Sequence, residues 1–433
     1  MPAKRLLTVL FTPLDGWGHI NACHGLAETL RDRGHRVVFA VDSAFKGRLE
    51  SFGFDEELHY NTRPVVCDID PRTDYINKNP DLYKLSAVRV AETVCVTAFE
   101  RMFNTFRDRD SQYKQIIARV RPDIIVIDSY IGSPTLTNSG VPFVWLYSAA
   151  PLMAFNNDQL PPPWSGLPIK GNRKEWLDFN GQLEHMYQCL HNTINQWLLS
   201  EGAPPLESDS STYLHPRSKH LNIYMYPKEL DYQEVQPLPS NWRRVDGFVR
   251  TTDETFTIPE CLRHRPGKLV LLSMGSIGCS HLELMIRLTQ ILAKSRHRFI
   301  VNKGPLHNRY DLPANMWGQE FLPQTAVLPL VDLVITHGGN NTVTETFYYG
   351  KPMLVLPMFS DQYENAQRLC ETGLGVRISP FHCSDSELLD AVDRMVNDSQ
   401  LAQTMKTIGD RIRKSNDKEV VAGLIESIVW KQN

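Results

Sequence analysis

Apolar runs of strand length alternate along this chain with segments of helical periodicity, and this alternation limits the possible folds more than any other feature. Residues 6–12 are apolar, residues 20–33 carry apolar side chains at helical spacing, and residues 37–41 are apolar again. The same order returns from about residue 268 onward. Strands that alternate with helices build parallel sheets covered by helices on both faces. The sequence therefore predicts an α/β protein with two doubly wound, Rossmann-like domains that face each other across a cleft.

The length of the chain and one polar segment indicate where these domains meet. A chain of 433 residues can form two or three domains, each with its own core. Residues 227–250 are rich in proline and polar side chains, which is typical of a linker. We therefore expect an amino-terminal domain over residues 1–240 and a carboxy-terminal domain over residues 241–433. We also expect the last helix, at about residues 413–433, to pack back on the amino-terminal domain.

Charge, cysteine content and hydropathy argue against several classes of protein. The net charge is −3, so nothing electrostatic favours nucleic acid or an anionic membrane as a partner. The 8 cysteines are scattered without a C-x-x-C pair, which argues against a disulfide framework and a zinc site. The apolar run before Pro13 is too short for a signal peptide, and no run reaches the length of a membrane span. We expect a cytoplasmic, monomeric protein without a membrane anchor.

The densest group of functional signals lies at residues 321–362. It begins with an aromatic ring, Phe321, and an amide, Gln324, and continues with a strand that runs into His-Gly-Gly at residues 337–339. An anion fits the following helix start, because free backbone N–H groups and the helix dipole favour negative charge there. A carboxylate such as Glu345 suits the diol of a sugar. These are the parts needed to hold a nucleotide diphosphate sugar.

The order, types and spacing of about ten of these positions resemble the signature of the UDP-glycosyltransferases, the family-1 enzymes with a GT-B fold. Phe321 stands where many members have a tryptophan that stacks on uracil, and Glu345 matches their ribose-binding carboxylate. Asp361 and Gln362 match the pair that touches the transferred sugar. The donor-binding residues implied by the resemblance are Ser276, Phe321, Gln324, His337, Gly339, Asn341, Thr342, Glu345, Asp361 and Gln362.

Two further residues stand where parallel sheets bind ligands, at the carboxyl ends of predicted strands. His19 follows the first strand at the start of a helix, whose dipole favours the neutral imidazole that a general base needs. A histidine that caps the helix or packs in a turn is the alternative. Asp128 ends the strand at 124–127, which is also a common position for a helix N-cap, while Asp123 lies at that strand's other end. The resemblance implies that His19 is the catalytic base and that Asp128 assists it.

The resemblance also implies the reaction. It is transfer, with inversion, of a hexose such as glucose from a UDP-sugar to a hydroxyl of a hydrophobic small molecule, with detoxification as a plausible role. We expect no metal ion and no cofactor beyond the donor substrate. Apolar side chains in segments that should face the cleft favour a hydrophobic acceptor, although such residues are more often part of a core. The candidate acceptor-binding residues are Trp17, Phe103, Met153, Phe155 and Trp164.

Other interpretations remain open. The His-Gly-Gly sequence at 337–339 is similar to an esterase oxyanion loop, but the chain lacks the G-x-S-x-G sequence that such enzymes need. Asp68 and Asp70 form a D-x-D sequence like the metal-binding motif of the other glycosyltransferase fold, or else a solvated turn. A non-catalytic protein that binds UDP-sugars or lipophiles, a transferase that uses another sugar nucleotide, and an epimerase with the GT-B fold are further alternatives.

Overall fold

The computed structural model describes most of the chain, namely residues 5–60, 71–155, 157–207, 214–252 and 254–431. Within these residues it contains two parallel sheets flanked by helices, which confirms the predicted α/β architecture. Asp68 and Asp70, considered above as a possible metal-binding pair, lie outside the described residues.

The first sheet has the strand order β3-β2-β1-β4-β5-β6-β7, and the second has the order β10-β9-β8-β11-β12-β13, with every pair parallel. The first sheet consists of β1 (Thr8–Pro13), β2 (Arg36–Asp42), β3 (Asp55–His59), β4 (Ile124–Asp128), β5 (Phe143–Tyr147), β6 (Leu221–Met225) and β7 (Trp242–Val245). The second consists of β8 (Leu269–Ser273), β9 (Arg298–Asn302), β10 (Met316–Gln319), β11 (Leu333–Thr336), β12 (Met353–Val355) and β13 (Gly375–Arg377). Strand order reverses between β1 and β4 and between β8 and β11, and open parallel sheets bind ligands at such points.

Helices cover both faces of each sheet. The amino-terminal half contains α1 (Trp17–Asp32), α2 (Pro71–Lys78), α3 (Ala87–Val90), α4 (Thr97–Val120), α5 (Pro134–Asn138) and α6 (Arg173–Ser200), with a π-helical segment at Ala91–Val96. The carboxy-terminal half contains α7 (Glu260–Arg263), α8 (Gly275–Gly278), α9 (Leu282–Leu292), α10 (Gln324–Val327), α11 (Asn340–Tyr348), α12 (Gln362–Glu371), α13 (Asp385–Asn397), α14 (Ser399–Arg413) and α15 (Asp417–Trp430). None of the described helices is both long and apolar enough to cross a membrane.

Strand interiors are apolar because both faces of each sheet are covered. All of β4 and β5 is buried, and so is β1 after Thr8. On one face of the first sheet, Leu26 and Leu30 of α1 pack with Val9 and Phe11 of β1. Gly34 follows α1 with φ +92°, a conformation that favours glycine and that ends the helix before β2.

The segment interpreted as a linker differs from that expectation. It contains β7, Trp242–Val245, which pairs with β6, so the first sheet extends past residue 240. A four-residue strand directly after Pro237 and Pro239 has too little length to show alternation, which explains why the pattern concealed it.

The last helix, α15, packs against the amino-terminal domain. Its Glu426 is 3% exposed and accepts two hydrogen bonds from Arg33, at 2.8 and 2.7 Å. His35 Nε2 lies 2.9 Å from the same carboxylate. The chain therefore crosses between the two sheets twice, once after β7 and once before α15.

Candidate active site

The end of β1 and the end of β4 lie side by side, with Pro13 opposite Asp128. The loop after β1 and the Asp128 carboxylate therefore share one edge of the sheet. His19, in the first turn of α1, has its Nδ1 atom 3.0 Å from Asp128 Oδ2 and 3.0 Å from Ser148 Oγ. Because Nδ1 faces these two partners, Nε2 is the ring nitrogen left to accept a proton.

The protonation of His19 depends on the carboxylates around it. Burial lowers the pKa of His19, but the charge of Asp128, the hydrogen bond to it and weaker contributions from Asp361 and Asp15 outweigh that effect. The pKa of His19 is therefore raised above its ordinary value. From the sequence we considered only the helix dipole, which favours the neutral imidazole, and did not anticipate the effect of these carboxylates on the pKa. His19 becomes an effective base only as pH rises through this raised pKa.

His337 occupies the corresponding edge of the second sheet. Thr336, at the end of β11, lies opposite Ser273 of β8, which brings the turn at Gly275 against His337. A Cβ atom on Gly275 or on Gly339 would overlap the imidazole ring, so the two glycines are required for it to fit. Burial lowers the pKa of His337 to about 4. At neutral pH His337 can therefore offer a phosphate a hydrogen bond but no positive charge.

The N-terminus of α11 is open to a ligand. Gly339 is the N-cap residue and no side chain caps this end, so the first-turn N–H groups remain available to an anion. Asn341 Nδ2 donates to Glu345 Oε1 at 3.2 Å, and Thr342 is nearly buried in the same first turn. Ser276 lies in α8, after β8, and is exposed.

Glu345 is held by several donors at the base of this region. It is 2% exposed, and its Oε1 accepts a hydrogen bond of 2.6 Å from Arg250 Nη1. Gln324 Nε2 donates to the other carboxylate oxygen at 2.6 Å, while Gln324 Oε1 accepts from Ser273 Oγ at 3.1 Å. Gln324 and Glu345 are thus brought together. Arg250 was missed, because it comes from the segment interpreted as a linker and carries no motif.

Two predicted aromatic residues meet across the cleft. Phe321, in the second half of the chain, is 55% exposed, and its ring centroid lies 6.0 Å from that of Trp17 at an interplanar angle of 46°. Trp17 also packs edge-on against Phe45 at 5.2 Å. Trp17 was predicted to contact the acceptor, yet it lies beside the residue predicted to stack on the nucleotide base.

Asp361 and Gln362 occupy the start of α12. Asp361 Oδ2 accepts a hydrogen bond from the N–H of Ala150 in the amino-terminal half, at 3.1 Å. Burial raises the pKa of Asp361 to about 6, although this hydrogen bond and the charge of His19 oppose the change. Gln362 is buried, and its Oε1 accepts from the N–H of Met358 at 2.9 Å. Asp361 is therefore close to His19, whereas the Gln362 carbonyl is held by its own loop.

An aromatic cluster, formed by Phe99, Tyr130, Trp164 and Tyr187, lies next to the histidine. Tyr130 meets His19 edge-on at 5.4 Å. Within the cluster, the ring centroids of contacting pairs are 5.4 to 5.6 Å apart. Trp164 was predicted from sequence. Tyr130 could have been found from its position just after β4, whereas no pattern distinguished Phe99.

The other predicted acceptor residues lie elsewhere in the same half of the chain. Phe103 is buried and packs edge-on against Trp197 at 5.7 Å. Met153 is buried within the hydrophobic core. Phe155 is half-buried against Trp242, with ring centroids 4.9 Å apart. In the structure these three side chains pack against the protein, and the described contacts do not join them to His19.

One group of side chains in the described part of the chain has the composition of a metal site. Asp15, Asp42 and His59 bring their ligand atoms within 4.8 Å of one another. Arg109, however, forms ion pairs with Asp15 and with Asp42, the latter at 2.9 Å. Burial lowers the pKa of His59 to about 4. The guanidinium already pairs with both carboxylates, and the cluster supports the loop that leads to Trp17.

Known proteins resemble this chain in sequence and in fold. Residues 263–415 match the family model described as UDP-glucoronosyl and UDP-glucosyl transferase. The chain is 23% identical to the NDP-glycosyltransferase YjiC of Bacillus subtilis strain 168 over 428 residues, 96% of each chain. It resembles the structure of the glycotransferase of kitacinnamycin, with a TM-score of 0.69, 20% identity and coverage of 98% of this chain and 99% of that one. It also resembles a spinosyn rhamnosyltransferase complexed with thymidine diphosphate, with a TM-score of 0.63, 18% identity and coverage of 98% and 100%. The two-sheet fold is the GT-B fold, and residues 263–415 are similar to the UDP-glycosyltransferase family.

Proposed function

We propose that this glycosyltransferase moves a hexose, most simply glucose, from a UDP-sugar to a hydroxyl group of a hydrophobic small molecule, with inversion at the anomeric carbon. The observation that carries the proposal is the position of the His19–Asp128 pair. The pair lies at a strand edge that faces Asp361 of the other half of the chain. His19 and Asp361 are close enough for each to shift the pKa of the other. A general base and the residue matched to the donor sugar therefore share one site.

The proposed reaction is a single displacement. His19 Nε2 takes the proton of the acceptor hydroxyl while that oxygen attacks the anomeric carbon. The bond from this carbon to the diphosphate oxygen breaks, and UDP leaves with the electron pair. Asp128 offsets the positive charge that forms on the imidazole, as the carboxylate does in a hydrolase triad. General-base catalysis of this kind contributes about 10² to 10⁴ in rate.

The leaving diphosphate is stabilised, in this proposal, without a metal ion. The uncapped N-terminus of α11 supplies backbone N–H groups and the positive end of a helix dipole. The neutral His337 beside Gly339 supplies a hydrogen bond. Fixed donors aimed at developing negative charge are effective because they need no reorganisation. We expect full activity after treatment with EDTA; loss of activity that returns with a divalent cation would contradict this part of the proposal.

The aromatic cluster beside His19 supports an apolar, flat acceptor. Tyr130 presents its ring next to the base, with Phe99 and the buried Trp164 packed behind it, and stacking on such a ring favours phenolic compounds over small aliphatic alcohols. On the donor side, Phe321 is exposed and Glu345 is anchored for a ribose diol. The solved structure of a spinosyn rhamnosyltransferase contains thymidine diphosphate, so TDP-sugars are the alternative donors to compare with UDP-sugars.

A panel of donors and acceptors tests the proposal. UDP-glucose, UDP-galactose and TDP-glucose are each incubated with phenolic and aliphatic alcohols, and the products are analysed by NMR spectroscopy. We expect β-linked glucosides of phenols, made most efficiently from UDP-glucose. An α-linked product would refute inversion, and products from TDP-glucose alone would refute the choice of UDP. Tight UDP binding without any product would support the non-catalytic alternative.

A further inference from the structure

The side chain of Asn340 joins the proposed diphosphate site to the other domain. Its Nδ2 atom donates to the backbone carbonyl of Ser148 at 2.8 Å and to that of Met225 at 2.8 Å. Asn340 is 4% exposed, and with both amide hydrogens engaged its orientation is determined. β5 ends at Tyr147 and β6 at Met225, so both carbonyls belong to the strand-end edge on which His19 lies.

Each end of this connection touches a group proposed to act in the reaction. Ser148 places its Oγ atom 3.0 Å from His19 Nδ1. Asn340 is also the first residue of α11, whose N-terminus is proposed to hold the diphosphate. One buried amide thus lies between the leaving group and a residue in contact with the base. Because the base and the donor belong to different domains, their separation depends on contacts of this kind.

We propose that Asn340 is a positioning residue that sets His19 relative to the anomeric carbon of the donor. This inference rests on the proposed function. An attacking oxygen must approach within about 3 to 3.5 Å of the carbon, and a displacement of about 1 Å costs about 10²-fold in rate. Loss of the two Asn340 hydrogen bonds frees the backbone at Ser148, and with it the hydroxyl that contacts His19. The diphosphate site itself is built from backbone N–H groups, which the substitution leaves in place.

Arg368 offers a matched control. Its Nε donates to the carbonyl of Leu230 at 2.9 Å and its Nη2 to that of Asp231 at 3.1 Å. These are also two bonds from a helix of the second domain to backbone carbonyls of the first. The described contacts of Arg368 do not include His19 or Ser148. Arg368→Met therefore removes contacts between the domains without disturbing the surroundings of the base.

The test compares Asn340→Ala with Arg368→Met in kcat for UDP-glucose and in the Kd for UDP measured by calorimetry. We expect Asn340→Ala to lower kcat about 10²-fold while the Kd for UDP stays close to that of the wild type. Arg368→Met should keep kcat near the wild-type value. Ser148→Ala should lose less activity in the Asn340→Ala background than in the wild type, because both changes act on His19 through one contact.

Equal losses of kcat in the Asn340 and Arg368 variants would overturn the inference, since only domain closure would then be affected. A raised Kd for UDP with unchanged kcat would overturn it as well. If Asn340→Ala does not fold, Asn340→Ser, which keeps one donor, is measured against the same control. A wild-type protein that releases no UDP with any acceptor would overturn the proposed function itself. An active wild type with an equally active Asn340 variant would overturn only the inference about Asn340.

Discussion

Replacing Asp128 with asparagine separates two effects of its carboxylate. One is the raised pKa of His19, and the other is the stabilisation of the charge that forms on His19 in the transition state. The substitution keeps the size of the side chain and removes its charge next to His19 Nδ1, 3.0 Å away. Because Asp128 raises the pKa of His19, its loss moves that pKa down, and the acid limb of the kcat profile should move to lower pH. The base is therefore neutral over a wider range in the variant, yet the reaction on the alkaline plateau should be slower.

The size of the loss follows from the charge that forms on the imidazole in the transition state. With charge centres roughly 4 Å apart and an effective dielectric constant of about 20, the attraction to Asp128 is about 4 kcal/mol. An uncharged amide loses most of this attraction, and the loss lowers kcat about 10³-fold. The assay is the rate of UDP release at saturating donor and acceptor, measured from about pH 5 to 10 to define the plateau and the acid limb.

Asp123→Asn is the matched control, because it makes the same substitution directly before β4, whereas Asp128 is the last residue of that strand. Asp123 Oδ2 accepts a hydrogen bond from the N–H of Thr8 at 2.8 Å, at the end of the sheet remote from His19. The activity and pH profile of the Asp123→Asn variant should stay close to those of the wild type. If Asp128→Asn keeps wild-type kcat, or if its acid limb moves to higher pH, the assignment of Asp128 to His19 is refuted.

Three further predictions concern the donor site. Phe321→Ala should weaken UDP binding about tenfold in calorimetry, since base–aromatic stacking contributes about 1 to 3 kcal/mol; unchanged affinity would refute stacking on this ring. Gly275→Ala should lower the free energy of unfolding by about 2 kcal/mol or more, because its φ is +69° and a Cβ would overlap His337. Gly181→Ala, in α6, where an added Cβ would meet nothing within 4 Å, should be neutral or stabilising in the same urea titration. For Asp361, the folded-state pKa of about 6 lies above the ordinary value of 3.8, so ionisation destabilises the native state. The stability of the wild type relative to Asp361→Asn should therefore fall as pH rises from about 4 to about 6 and then level off, and a difference independent of pH would contradict this.

Much of the fold was predictable because its determinants are local. Apolar strands and amphipathic helices carry their period in adjacent residues, and parallel strands must then place their carboxyl ends at one edge. This reasoning brings Asp128 to the same edge as His19 before any coordinates are known. It fails where an element is short or its pattern is diluted. β7 has only four residues, and α4 (Thr97–Val120) carries many charged residues between its apolar positions.

Contacts between distant segments could not be predicted from local patterns. The Arg250–Glu345 ion pair joins residues 95 positions apart, and the bond from Asn340 to Ser148 spans 192 positions. Both depend on how the two halves of the chain dock, which no short window of sequence encodes. The direction of the His19 pKa shift was not anticipated for the same reason, because the carboxylates that raise it come from separate strands and helices.

The most direct measurement of the central claim is UDP release from UDP-glucose, with and without a panel of phenolic and alcohol acceptors, for the wild type and for His19→Ala. If His19 is the general base of a glycosyltransferase, UDP release depends on the acceptor and falls by about 10² to 10⁴ in the variant. Release that is independent of acceptor, or that survives His19→Ala at the wild-type rate, would contradict the mechanism.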